Sequence, residues 1–244
     1  DSTDVSCFGL CDGSADVTYV CGDPACTNQW FEGLTGTMLV GQTGTSITGQ
    51  CAGEYYVEVT NASGCISVGL TEIVGPTQIL ANEVTTQITC NGANDGSITL
   101  APSGGSGAGY TYVWSPVPTN GQGDNDATGI GAGTWCVDIT DGDACVQNYC
   151  FDIVEPTPIV ITPTPTDPSC NGDCNGIISV VVTGGYGTYT YQWLDASLTP
   201  IPGETNPLIS GLCSGNYTVE VTDLGGCTIP MLITLTEPSA ISAP

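Results

Sequence analysis

The sequence predicts an all-β chain, built as three tandem antiparallel β-sandwich repeats of about 80 residues and stapled by disulfides. Three observations carry that prediction. The stretches "GEYYVEVTNASGC" (53–65), "GTWCVDITDGDAC" (133–145) and "GNYTVEVTDLGGC" (215–227) have equal length, open on glycine, close on cysteine and place an apolar residue at every second position. Other landmarks recur in the same order: Cys7, Cys90 and Cys170 before Gly-rich turns, Trp30, Trp114 and Trp193 at the ends of polar-aromatic runs, and Pro76, Pro156 and Pro238 after Thr/Ile/Val-rich stretches. Gly and Pro punctuate the chain at intervals of about ten residues and no long stretch has helical periodicity, which suits short strands rather than helices.

The landmarks give boundaries at 1–76, 77–156 and 157–238, with 239–244 reading as the start of a further repeat or a tail. Each repeat opens on "CFGLCDGS", "CNGANDGS" or "CNGDCNGI". "GSITLAPS" and "GIISVVVTGG" follow as one strand, then "YTYVW" and "TYTYQW" as the next. In the shared sentence Tyr55, Val57 and Val59 face one way, as do Trp135, Val137 and Ile139, and Tyr217, Val219 and Val221. Glu, Asp and Thr lie on the opposite face, as a half-buried strand requires. A Gly/Asn/Asp turn and a further β-rich run complete a hairpin. The connectors "PTQILANEVTTQIT" and "PTPIVITPTPTDPS" read as stiff, extended segments that can pair as first strands. Tyr55, Trp135 and Tyr217, two residues after glycine, stand where immunoglobulin-like sandwiches place a corner tyrosine. The three Trp residues read as core.

Composition excludes much chemistry. The 244 residues contain no Lys, Arg or His and 25 Asp or Glu, a formal charge of −25, where average usage would supply roughly 30 basic residues. Without imidazole there is no Ser-His-Asp or Cys-His nucleophile. Such a charge repels nucleic acid and anionic membranes. Carboxylate-pair catalysis remains conceivable, but the acids are scattered, so no catalytic residue and no enzyme is expected. A 40% hydrophobic content with only 10% charged residues opposes disorder. No apolar run reaches membrane-spanning length, and the absence of a leader fits a mature or excised segment.

Fourteen cysteines without histidine point to an oxidising compartment. The repeats suggest the pairing. Cys7 and Cys65, Cys90 and Cys145, and Cys170 and Cys227 occupy equivalent positions and pair most simply within each repeat. Cys11 and Cys51 correspond to Cys174 and Cys213; the middle repeat loses both positions together, to Asn94 and Gly131, as a bridge requires. The remainder pair locally: Cys21 with Cys26 across "GDPA", and Cys136 with Cys150 across a hairpin. Zinc is the rival for the C-x3-C and C-x4-C spacings, but it needs four convergent ligands and the middle repeat keeps only two. A bridge closing a loop of about 55 residues is worth roughly 4 kcal/mol by loop-closure entropy.

The order "CNGANDGSITL", "GYTYVW", "GAGTWCVDITDGDAC", "VEP", and in the third repeat "CNGDCNGIISVVVTGGYGTYTYQW", "ISGLCSGNYTVEVTDLGGC", "LTEP", resembles the SprB-type repeat of Bacteroidetes cell-surface proteins. The first repeat departs from it, with "VCGDPACTNQW" in place of Gly-Gly and Tyr-x-Tyr-x-Trp. The resemblance implies an Ig/PKD-like β-sandwich in a large mobile or adhesive surface protein exported by the type IX route, with no catalytic residues. The extra cysteine pairs and the lack of basic residues go beyond the family's pattern.

The expected function is therefore structural and adhesive: a rigid, extracellular cell-surface stalk or adhesin fibre. Three sandwiches stacked end to end would span about 100 Å. A second expectation is a self-assembling filament subunit, in which a connector adds to a neighbouring chain by strand augmentation. A third is a carbohydrate-binding module using Tyr110, Tyr112, Tyr189 and Tyr191. Expected partners are neighbouring repeats of the same or identical chains, and a surface polysaccharide or other adhesion target. No cofactor or metal site is expected; calcium at the oxygen-rich turns of Asp124 and Asp126, or Asp141 and Asp143, is the one candidate. "NAS" (61–63) and "NYT" (216–218) match the N-glycosylation pattern, and "DST" (1–3) an O-glycan acceptor pattern.

Overall fold

A computed structural model of the chain describes residues 1–22 and 25–242. Asp23 and Pro24 of the "GDPA" turn, and Ala243 and Pro244 of the final segment, lie outside the described residues. Among the described residues every regular element is a strand. The first repeat contains β1 (Ser2–Thr3), β2 (Gly13–Asp16), β3 (Cys26–Glu32), β4 (Ser46–Gln50), β5 (Gly53–Asn61) and β6 (Ile66–Ile73). The second contains β7 (Thr77–Leu80), β8 (Glu83–Thr86), β9 (Gly96–Leu100), β10 (Ser103–Gly105), β11 (Thr111–Ser115), β12 (Asp126–Ile130), β13 (Gly133–Thr140) and β14 (Val146–Ile153). The third contains β15 (Val160–Thr166), β16 (Gly176–Thr183), β17 (Thr190–Leu194), β18 (Leu208–Leu212), β19 (Gly215–Thr222) and β20 (Thr228–Leu235).

The third repeat shows the plan. One sheet has the order β15-β16-β18 and the other β17-β19-β20, both antiparallel. Strands one, two and four thus form one layer and strands three, five and six the other. That division matches the ABE and CFG layers of an immunoglobulin-like sandwich. Between the layers lie Ile178, Val180, Trp193, Ile209, Val219, Val221 and Ile233. The first repeat repeats the plan with β1-β2-β4 and β3-β5-β6 around Ala15, Trp30, Ile47, Val57 and Ile73. In the second, the sheets are β12-β9-β8 and β11-β13-β14, with β7 paired to β10.

Period-two patterning is obeyed where it was read. Val57, Val137, Val219 and Val221 are at most 1% exposed, while Glu54, Glu58, Asp138 and Glu220 keep contact with solvent. Trp30, Trp114 and Trp193 are core residues, each with the same polar anchor. Trp30, Trp114 and Trp193 donate their indole N–H to the carbonyls of Gly44, Asp124 and Asn206 at 2.9–3.0 Å. The corner also forms: Tyr55 and Tyr217 donate their hydroxyls to the carbonyls of Cys51 and Cys213, four residues upstream.

The connectors are first strands. Thr77–Leu80 pairs with Ser103–Gly105, Glu83–Thr86 lies beside β9, and Val160–Thr166 pairs with β16 over its whole length. Pro163 and Pro165 in β15 and Pro230 in β20 sit on strands at the ends of their sheets. There they remove N–H donors that a further strand would need.

By its internal contacts the chain divides into two compact units. One comprises Asp1–Val84, Thr99–Ala127 and Trp135–Cys150; the other comprises Thr85–Ile98, Thr128–Thr134 and Phe151–Pro244. Each unit holds one long-range disulfide, and these carry the functional reading.

Candidate functional site: the disulfide joints

The hairpin that ends each repeat is braced by one side chain. In the first unit Asp141 accepts through Oδ1 from the N–H groups of Asp143 (3.0 Å) and Cys145 (2.9 Å), and through Oδ2 from that of Ser106 (2.8 Å). In the second unit Asp223 accepts through Oδ1 from Cys227 N–H and through Oδ2 from Tyr186 N–H, both at 2.9 Å. Asn61 does the same work in the first repeat, accepting from Ser63 and Cys65 at 3.1 and 2.8 Å. Each closing cysteine is thereby fixed by a side chain four residues earlier. Burial pushes the Asp141 and Asp223 carboxyls up, but the N–H donors outweigh it and hold both below the ordinary value of 3.8.

Two glycines let the connector reach this brace. Gly105 (φ +56) and Gly185 (φ +57) lie in the left-handed region, and a Cβ on either would stand 2.3 Å from Oδ2 of Asp141 or Asp223. A Cβ on Gly104 or Gly184 would meet the carbonyl oxygen of Gln78 or Pro158 at 2.0 or 1.9 Å. The Gly-Gly pair is therefore demanded by a close backbone crossing.

The opening turn has a matching brace. Glu155 accepts from Gly92 N–H at 2.6 Å, while Asn91 donates to Pro156 O. Glu237 accepts from both Gly172 N–H and the Asn171 side chain. These contacts explain why "CNG" and "EP" travel together.

At the joints the structure corrects the sequence pairing. Cys7 is bonded not to Cys65 but to Cys145, and Cys90 not to Cys145 but to Cys227, with Cα–Cα distances of 5.6 Å in both. Cys65 and Cys170 carry free, exposed thiols. The opening cysteine of each of the first two repeats is thus bonded to the closing cysteine of the next. The reason is strand length. In the third repeat Glu237, just beyond the end of β20, touches the turn at Asn171, while Cys227 precedes the start of β20. Eight residues of strand extend about 26 Å, and a disulfide spans a Cα separation of only about 4.4–6.8 Å. The two cysteines of one repeat are at opposite ends of the sandwich and cannot meet.

The bonds agree further. The Cys145 sulfur lies 3.2 Å from Ser6 O and the Cys227 sulfur 3.1 Å from Thr89 O. Beside the Cys7–Cys145 bond a crevice is lined by Pro76, Thr77, Ile79 and Gly105; beside Cys90–Cys227 the lining is Pro156, Thr157, Ile159 and Gly185. The same connector positions recur in both units. The shorter bonds are Cys11–Cys51, Cys174–Cys213, Cys21–Cys26 and Cys136–Cys150. Where the middle repeat lacks a bridge, a Cβ on Gly131 would meet Asn94 Oδ1 at 2.5 Å, so the two replacements face each other.

Several of the remaining candidates have structural partners. Tyr110 and Tyr189 donate their hydroxyls to Gly104 O and Gly184 O at 2.5 Å, and Tyr189 and Tyr191 pack on the third core. Tyr112 is half-buried. Both oxygens of Asp141 are already engaged, and among the described residues no three acidic or cysteine side chains converge as a metal site. Asp124 instead presents its backbone carbonyl to Trp114. Among the described residues no helix is long and apolar enough to cross a membrane.

Comparison with known proteins agrees with the repeat reading. The family model of the SprB repeat matches residues 82–119 and 162–198, in the second and third repeats, so the resemblance drawn from their motifs stands. No curated relative matches the chain. Among solved structures, a three-Ig-domain titin fragment matches at 11% identity and TM-score 0.37, covering 97% of this chain and 95% of its own. The N-terminal eight Ig domains of Down Syndrome Cell Adhesion Molecule match at 13% identity and TM-score 0.39, covering 87% and 33%. A Dscam structure on isoform specificity matches at 11% identity and TM-score 0.30, and the chain spans 65% of its length. The repeats, layers and disulfides define a repeat protein of immunoglobulin-like β-sandwiches.

Proposed function

We propose that this chain is a load-bearing extracellular tether, with repeats at 1–76, 77–156 and 157–238, in which each joint is locked by a disulfide that crosses from one repeat to the next. The observation that supports this most is the recurrence of one joint, Cys7–Cys145 and Cys90–Cys227. A sandwich held by a single connector yields by peeling at its hairpin; a bond from that hairpin to the preceding repeat closes the route. The overlapping loops of 138 and 137 residues also remove about 5 kcal/mol each from the unfolded chain by loop-closure entropy.

The reading is of a non-enzymatic cell-surface protein that projects or builds, with adhesion as its output. Its acidic surface repels polyanions, and the Asp141 carboxylate serves as the turn's own brace rather than as a calcium ligand. The prolines of β15 and β20 close those two sheet edges to a further strand. Single-molecule stretching tests the tether. The oxidised chain should lengthen under unfolding force to about a third of the reduced contour, since the two bonds short-circuit most of the backbone. Equal extension before and after reduction contradicts the reading.

A further inference from the structure

The two free thiols are the two halves of the joint the chain forms twice. Cys65 closes its hairpin as Cys145 and Cys227 do, with its N–H held by the residue four positions earlier at 2.8 Å, against 2.9 Å in both others. Cys170 opens its turn as Cys7 and Cys90 do: its carbonyl accepts from Asp173 N–H at 3.1 Å, as those of Cys7 and Cys90 accept from Leu10 and Ala93 at 3.0 and 2.9 Å. Each thiol lacks only the other kind of partner.

A second observation marks what lies beside the bond. In the formed joints the segment after the proline, "PTQI" (76–79) or "PTPI" (156–159), lies along the hairpin; Ile79 is 4% exposed and Ile159 packs on the third core. Beside Cys65 the corresponding surface is an open groove of about 360 Å³, lined by Val17, Val20, Ile66 and Val68. Val20, Ile66 and Val68 are among the exposed large apolar residues. The third repeat ends on the same segment, "PSAI" (238–241), whose Ile241 is fully exposed. One copy thus carries both an unfilled groove with a closing cysteine and an unplaced apolar plug near an opening cysteine.

We propose that Cys170 of one copy of this chain bonds to Cys65 of a second copy, with the 238–241 segment of the first seated in the groove of the second. The pairing is head-to-tail and does not close on itself, so it propagates into a covalent fibre. Chemically, two thiols lose two protons and two electrons to form one disulfide; a second disulfide, such as oxidised glutathione, accepts them and leaves as two thiols. The inference rests on reading the chain as a covalently jointed scaffold, and the experiment separates the two.

Alkylation of the purified 244-residue chain without reduction should add two groups per molecule, whereas within-repeat pairing would leave no thiol and add none; the latter overturns the scaffold itself. Unblocked chain incubated with oxidised glutathione should give a ladder of covalent oligomers on a non-reducing gel that collapses on reduction. Cys65→Ser and Cys170→Ser chains should each stay monomeric alone, and their equimolar mixture should yield a dimer of one of each. Ile241→Asp should slow the ladder roughly tenfold by removing the apolar contact. With two thiols confirmed, a chain that stays monomeric, forms an internal Cys65–Cys170 bond, or dimerises as readily from either variant alone overturns the inference and leaves the scaffold standing.

Discussion

Cys227 is bonded to Cys90, while the cysteine that opens its own repeat, Cys170, stands at the far end of β20 as a free thiol. A sandwich is tied at its hairpin to its predecessor rather than to itself. The consequences can be measured one by one.

Removing the joint should cost more than removing a free cysteine. Cys7→Ser releases a loop of 138 residues and should lower stability by up to about 5 kcal/mol. Cys65→Ser should leave the monomer's stability unchanged. Denaturant titration of the two variants decides, since within-repeat pairing would make them equally damaging.

Acid should loosen the hairpins. Asp141 and Asp223 titrate below their ordinary value of 3.8 because backbone N–H groups prefer the carboxylate. A lowered folded-state pKa contributes stability that is fully present above the unfolded value and is lost as pH falls through the folded one. The melting temperature should therefore hold from neutrality down to about pH 5 and fall below about pH 4. Asp223→Ala, which strands the Cys227 and Tyr186 N–H groups, should cost about 1–3 kcal/mol at neutral pH and flatten that acid limb. An unchanged limb in the variant contradicts the assignment.

The Gly-Gly pair offers a graded test. Gly187 has positive φ with nothing within 4 Å of an added Cβ, whereas Gly184 would drive its Cβ to 1.9 Å from Pro158 O. Gly187→Ala should cost about 1 kcal/mol from backbone strain alone. Gly184→Ala should cost clearly more, because the connector must shift. Equal costs by thermal unfolding would mean that the crossing is not tight.

The buried tryptophans give an optical readout. Trp30, Trp114 and Trp193 are at most 1% exposed, and Trp135 is half-buried. Native emission should be blue-shifted, with acrylamide reaching only the Trp135 fraction. Trp193→Phe should cost about 1–3 kcal/mol, through the lost bond to Asn206 O and a small cavity. Strong quenching of most of the native signal would contradict the core assignment and favour a surface aromatic platform.

How much of this was legible in the sequence differs by level. The strands, the core tryptophans and the corner tyrosines follow from local alternation and from spacing repeated three times, because packing constrains each residue in the same way in each copy. The Cys11–Cys51 and Cys174–Cys213 bonds were legible because Asn94 and Gly131 replace both partners at once. The joints were not. Cys7, Cys90 and Cys170 are equivalent, as are Cys65, Cys145 and Cys227, so repetition supports a bond within a repeat and a bond to the next repeat equally well. Pairing every cysteine favoured the first; the length of β6 and β20 imposes the second. The brace by Asn61, Asp141 and Asp223 was also missed. Its signal was present, as an Asn or Asp four residues before each closing cysteine.

The most direct measurement is a disulfide map of the unreduced chain. Trypsin has no site in a sequence without Lys or Arg, so pepsin at low pH, which also suppresses exchange, is the protease of choice. Mass spectrometry should find peptides joining Cys7 to Cys145 and Cys90 to Cys227, with Cys65 and Cys170 alkylated. Peptides joining Cys7 to Cys65, Cys90 to Cys145 and Cys170 to Cys227 would contradict the account at its centre.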